Sequence, residues 1–337
     1  MAVAPWMWSG TVIGIVALLA FDLFVVGRRA RQPSMKEAAG WAVFYLLIAL
    51  AFGLVLLRMH GGRYAGEFYA GWLTEYSLSV DNLFVFAVIM GRFAVPAVYQ
   101  QRVLTVGIVL ALGMRAVFIA VGAAAIARFS WVFYVFGVFL IYTAWKLMRQ
   151  RGEVEVEVRD NLVVRTVTRL LPATRSYDGT RLLTRVRGRT RVTPMLLVMV
   201  AIGTTDLLFA LDSIPAIFGL TREPFLVFTA NAFALMGLRQ LYFLVGGLLD
   251  RLVYLSYGLA VVLGFIGVKL ILEALHTNTI PILAAGEPVH VGPYISIVES
   301  LLFIGGTLAV TAVASLAKNR HNRRRSERSR APVGLLR

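Results

Sequence analysis

The chain reads Glu75-Tyr-Ser-Leu-Ser-Val-Asp81-Asn82 at one place and Asp206-Leu-Leu-Phe-Ala-Leu-Asp212-Ser213-Ile-Pro215 at another. In both stretches two carboxylates stand six residues apart. Both lie inside apolar runs long enough to cross a bilayer, for which roughly 20 residues suffice. An ionisable group at membrane depth costs at least ~2.5–3.5 kcal/mol on insertion scales, so it marks function by default. Four of them in two matching settings point to a path for a cation.

The surrounding composition agrees. Of 337 residues 58% are hydrophobic, and the mean hydropathy is +0.75. A soluble domain has roughly 45–50% apolar residues, so the chain is a polytopic, all-α membrane protein. Nine candidate spans follow at about 8–27, 38–57, 67–90, 103–127, 131–149, 194–219, 224–248, 252–275 and 294–317. The first is read as a retained span rather than a cleaved signal, being too long and too weakly flanked for one. There is no cysteine, which removes disulfides, thiol redox chemistry and thiolate metal sites. The four histidines (His60, His276, His290, His321) fall near or beyond span ends, so a His/Cys metal site inside the membrane is not expected.

The net charge of +16 is chiefly a topology signal. With the N-terminus outside and the C-terminus inside, inner segments hold 25 Lys and Arg and outer segments four: Arg58, Arg63, Arg128 and Arg222. The inner loop 150–193 mixes ten Arg with Glu153, Glu155, Glu157, Asp160 and Asp178. Neither this loop nor the tail with Arg323–Arg325 interleaves aromatics with charge, so anionic lipid, not nucleic acid, is the expected neighbour. The tail beyond about residue 318 is expected to be disordered.

The chain also matches itself. Gly113-Met-Arg115, Phe118 and Val121-Gly122 correspond to Gly237-Leu-Arg239, Tyr242 and Val245-Gly246. Lys146 follows Arg115 by 31 residues and Lys269 follows Arg239 by 30. Two three-helix units result, each ordered acidic pair, Arg, Lys, and their first helices run in opposite directions. Transporters with inverted repeats place their site at the midplane between the units. The organisation expected is 1–66 (two N-terminal spans), 67–149 (first repeat), 150–193 (basic inner loop), 194–275 (second repeat), 276–317 (outer loop and last span) and 318–337 (basic tail).

By depth, Glu75 should face Asp212 and Asp81 should face Asp206, in two tiers roughly 9 Å apart at 1.5 Å per residue. Six residues leave paired carboxylates about 120° apart on a straight helix. Pro215 lacks the N–H that would serve the Leu211 carbonyl, so a kink and a freed carbonyl oxygen are expected beside Asp212 and Ser213. In the first unit the Asn82 amide offers oxygen instead. All-oxygen ligands suit Mg²⁺, Ca²⁺ or Mn²⁺, and carboxylates in low dielectric also carry protons. The competing view is that these acids form buried ion pairs with Arg115, Arg239, Lys146 and Lys269, which serve as structural or gating partners. Asp22, Asn231 and Pro215 are secondary site candidates: Asp22, near the inner end of the first span, is otherwise read as reaching the interface, and Asn231 as a cap, cross-helix bond or ligand. Glu273, Glu299 and Asp250 are taken as interfacial.

These motifs resemble the TerC family. The likeness rests on Glu75-Tyr-Ser-Leu-Ser-Val-Asp-Asn-Leu-Phe84, Phe93-Ala-Val-Pro96 with Tyr99-Gln100, Asp212-Ser-Ile-Pro-Ala216, Phe233-Ala-Leu-Met-Gly-Leu-Arg239-Gln-Leu-Tyr242-Phe243 and Phe265-Ile-Gly-Val-Lys269. It covers about residues 20–317 and is most similar to the longer, Alx-type branch. The resemblance implies an integral protein of the bacterial cytoplasmic membrane, related to the LysE transporter superfamily and not an enzyme. It implies Mn²⁺ efflux, with Mn²⁺ as cargo rather than a permanent cofactor and protons as the coupling candidate. It carries the acidic role onto Glu75, Asp81, Asp206 and Asp212. Many relatives have a glutamate where this chain has Gly203, three residues before Asp206. Two rival roles go with the resemblance. One is a non-transporting partner of the secretion machinery or of exported metalloproteins. The other is resistance to tellurium or metal stress.

Overall fold

The computed structural model describes residues 3–22, 34–129, 131–149, 174, 176–186, 189–245, 254–276, 289 and 293–329. The side chains of Asp81, Phe84, Arg189, Val245 and 319–329 lie outside that description. In chain order the elements are α1 (Pro5–Phe21), α2 (Met35–His60), α3 (Gly62–Arg92), α4 (Ala97–Arg128), α5 (Val132–Arg149), β1 (Leu183–Val186), β2 (Arg189–Val192), α6 (Pro194–Phe218), α7 (Pro224–Met236), α8 (Leu238–Val245), α9 (Leu255–His276) and α10 (Ile297–Ser329).

Local chemistry sets the helix ends. Ser34 Oγ accepts from Glu37 N at 3.2 Å and opens α2. Before α10, Ser296 and Glu299 form a reciprocal capping box, at 2.7 and 3.2 Å. Proline opens α1, α6 and α7, where its missing N–H is not needed. Gly61, at φ 91°, separates α2 from α3 in a backbone conformation that side chains with a Cβ rarely adopt.

Seven of these helices are long and apolar enough to cross a membrane. The difference from nine expected spans has two sources. Only 17 residues of the first span are described as helix, and the seventh is interrupted at Gly237 into α7 and α8. Gly237 ends α7 with φ −84° and ψ −6° and packs beside Tyr45 and Tyr76. Two further expectations are corrected. The helix of the last span runs on to Ser329 instead of ending near 318, because its Lys and Arg are good helix formers and favour a helix C-terminus. Within loop 150–193 a hairpin pairs Leu183 with Val192 and Val186 with Arg189. It is tied to the α3–α4 turn by Tyr177, whose hydroxyl donates to the Phe93 carbonyl at 2.8 Å.

The packing sets the two triplets against each other. A Cβ on Gly71 would lie 3.2 Å from Ile217, so the start of α3 meets the end of α6 and the two run antiparallel. Tyr134 donates to the Ala274 carbonyl at 3.0 Å and Ala144 faces Gly264, so α5 and α9 are antiparallel too. Arg115 bonds to Asn231, and Arg239 to Thr105, giving the same relation between α4 and the α7–α8 pair. Each helix of the first triplet thus lies antiparallel to its counterpart. α7 is buried almost throughout, whereas α2 and α10 turn Leu47, Leu54, Leu302 and Val310 outward, as helices facing lipid must.

Candidate functional site

The centre of the molecule is a buried arginine between the two acidic helices. Arg115 of α4 is 0% exposed. It pairs through Nη1 with Glu75 Oε1 of α3. The same nitrogen donates to Asn231 Oδ1 of α7 at 2.9 Å, and Nη2 reaches Asp206 Oδ1 of α6 at 3.4 Å. Ser79, one turn after Glu75, donates to Glu75 Oε1 at 3.4 Å. Glu75 Oε2, Asp206 Oδ2, Ser213 Oγ and Asn231 Nδ2 are buried without a hydrogen-bond partner among the described residues. Ser213 follows Asp206 by seven residues and so shares its helix face. Asn82 is buried farther along α3. Asp81 is on α3, with its side chain outside the description.

The expected tiers are only partly met. The Gly71–Ile217 contact does put Glu75 level with Asp212 along the helix pair. Their side chains nevertheless part company: Glu75 turns to Arg115, and Asp212 accepts from Thr143 Oγ1 of α5 at 3.2 Å. The cause is the angular offset of a regular helix, which sends Asp206 and Asp212 to different sides of α6. Lys146 is exposed on α5, one turn after Thr143. α6 remains helical through Pro215, so the unserved Leu211 carbonyl arises without a break in the helix. A Cβ at Gly203 would meet nothing within 4 Å, so this position has space beside Asp206. Among the described residues no three acidic or histidine side chains are gathered as a ready metal cluster.

A second buried arginine sits at the other pole. Arg239 of α8 donates to Asp22 Oδ1 at 2.6 Å and to Thr105 Oγ1 at 3.3 Å, and Gln240 Nε2 adds a bond to Asp22 at 3.1 Å. Asp22 is 8% exposed, which corrects its reading as an interfacial residue: its counter-ion lies inside the bundle.

At the α3 N-terminal pole the structure adds Glu67 and Thr221, which sequence reasoning passed over, to Lys269, Arg222 and Glu273, which it had named. A cavity of about 180 Å³ is lined by Glu67, Thr221, Arg222, Lys269 and Glu273. Glu67 is buried, accepting from Arg63 Nε at 3.0 Å and from Thr221 Oγ1 at 2.6 Å. Arg222 pairs with Glu273 at 2.9 Å, and Lys269 donates to Ser300 Oγ at 2.9 Å. The signal for Glu67 was a third carboxylate in the same apolar helix, about two turns before Glu75 and about 80° around the axis from it. Gly71 lies between them in the sequence, packed on Ile217 and Ala230.

Such an arrangement defines a helical, multi-pass membrane protein with a charged centre assembled from two opposed helix triplets. The chain belongs to the integral membrane protein TerC family, whose model matches residues 60–323. It is 46% identical over 321 residues to an uncharacterized membrane protein of Mycobacterium tuberculosis, covering 94% of this chain and 80% of that one. An uncharacterized membrane protein of Myxococcus xanthus is 41% identical over 318 residues, 94% of each chain. An Escherichia coli protein named "Putative membrane-bound redox modulator Alx" is 36% identical over 333 residues, 96% of this chain and 98% of that one. No solved structure matches.

Proposed function

We propose that this protein exports a divalent cation, Mn²⁺ foremost, across the bacterial cytoplasmic membrane, with N-terminus outside and C-terminus inside. The carrying observation is the meeting of Glu75 and Asp206 on one buried arginine, each with an oxygen still unpartnered. Their donors, with Ser213 and Asn82, are oxygens, which favour hard cations. Asp81 and Asp212 extend the path along α3 and α6 as further stations for the ion or for coupling protons. The antiparallel matching of the two triplets supports an inverted repeat, and with it alternating access around the centre. Gly71 against Ile217 would form the outer closure and the Asp22–Arg239 pair the inner one.

An oxyanion as cargo is disfavoured, because both buried arginines already face carboxylates. The name of the E. coli relative points to a redox role for that protein, but this chain has no cysteine with which to perform thiol chemistry. A non-transporting partner of exported metalloproteins remains the rival that a transport assay decides.

Inverted membrane vesicles should accumulate Mn²⁺ in preference to Zn²⁺, with Ca²⁺ and Mg²⁺ as further comparisons, and a pH gradient should change the rate if protons are exchanged. Glu75→Gln and Asp206→Asn should each lower the rate at least about tenfold, the loss of one charge-assisted ligand bond. Asp81→Asn and Asp212→Asn should slow it as well. Zn²⁺ preference would refute the oxygen-ligand argument, and undiminished flux in all four variants would place the path elsewhere.

A further inference from the structure

Arg115 stands where the cargo has to go. Resting on the transport reading above, we propose that Arg115 is the tethered counter-cation of the empty site, taking turns with the transported divalent ion between Glu75 and Asp206. Asn231 then holds the guanidinium aside while the ion is bound.

Three observations carry this. Arg115 is fully buried, and the two carboxylates it holds come from the corresponding first helices of the two triplets. Each carboxylate uses one oxygen on the arginine and keeps the other, Glu75 Oε2 and Asp206 Oδ2, unpartnered. Asn231 Oδ1, a neutral acceptor at 2.9 Å from Nη1, is a bond that Arg115 can keep after leaving both acids.

Repulsion drives the exchange. Two carboxylates and a guanidinium sum to −1; two carboxylates and a divalent ion sum to zero and no longer attract the arginine. A guanidinium left in contact with the carboxylates would stand a few ångströms from a dication, a repulsion that falls as it withdraws onto the Asn231 amide oxygen. An empty centre without Arg115 would expose two uncompensated carboxylates. Arg239, at the matching place in the sequence repeat, shows the contrast. Its partner Asp22 is also held by Gln240, and that pair lies away from the Glu75–Asp206 gap.

The test is Mn²⁺ binding to the full, detergent-solubilised chain, read by paramagnetic resonance of free Mn²⁺. Arg115→Gln removes the competitor and should tighten binding by about tenfold, whereas Asn231→Ala removes the resting place and should weaken it severalfold, by about one hydrogen bond. Glu75→Gln and Asp206→Asn should abolish binding. A purely structural Arg115 predicts unchanged or weaker binding in Arg115→Gln, and that result overturns the proposal. Where Arg115→Gln does not yield a monodisperse protein, Asn231→Ala decides: unchanged affinity overturns it. Wild-type affinity retained in both acid variants would instead mean that the ion binds elsewhere, which refutes the transport site itself.

Discussion

Single charges in this protein differ in consequence according to what they face. Asp178 and Arg181 meet at 3.7 Å on an exposed hairpin, where a pair contributes ~0–1 kcal/mol. Asp22 and Arg239 meet at 2.6 Å inside the bundle, and removing one partner of such a pair costs ~3–5 kcal/mol because the other charge stays buried. Asp22→Ala should therefore lower the unfolding temperature of the purified protein by several degrees, while Arg181→Ala, which removes only the exposed pair and leaves the Thr184 bond to Asp178, should leave it within error; equal effects would mean that Arg239 finds another partner. Much at this scale was legible in the sequence. The acids and arginines were singled out by the cost of a charge in an apolar run, and Arg115, Arg239, Asp206 and Glu75 are all buried inside the bundle. What stayed illegible was the choice of partner. A depth argument levels Glu75 with Asp212 but is blind to azimuth, and azimuth sends one to Arg115 and the other to Thr143.

At the scale of elements, the α5–α9 pair forms a tight contact between the two triplets. A Cβ on Gly137 would stand 2.6 Å from Ile271 Cγ1 and 2.9 Å from the Gly267 carbonyl oxygen. Close approach of backbones through small residues is how helices associate where lipid tails are as apolar as the side chains. Gly137→Leu should force the helices apart and cost ~1–3 kcal/mol or more, as overpacking does. Gly113→Leu, where a Cβ would meet nothing within 4 Å, should be far milder. Reversed ranking in thermal stability would deny that this contact is close in the membrane. Helix existence was readable from apolar length, but two element-level features were not. The interruption at Gly237 lies inside a stretch apolar enough to read as one span despite Asn231, Arg239 and Gln240, and the β hairpin after Tyr177 is built from alternating Arg, Thr, Leu and Val within a basic loop. In both, packing against neighbours decides what hydropathy leaves open.

For the whole molecule, the decisive quantity is orientation. The antiparallel matching of α3 with α6, α4 with α7–α8 and α5 with α9 holds whichever way the protein is inserted. The proposed orientation, with the hairpin face inside, rests on the asymmetry of Lys and Arg alone, since cytoplasmic loops retain basic residues. The proposed direction of transport depends on it, and outward movement of a divalent ion would work against an inside-negative potential at ~2.3 kcal/mol per charge per 100 mV. The absence of native cysteine makes the test clean. Tyr294 is 72% exposed at the start of α10, and Asp178 lies on the hairpin at the opposite pole. In intact cells an impermeant maleimide should label Tyr294→Cys and spare Asp178→Cys, whereas in inverted vesicles the pattern should reverse. The opposite pattern would invert the assignment of outer and inner closures, placing the Glu67 cavity on the cytoplasmic side and making the same centre an entry route.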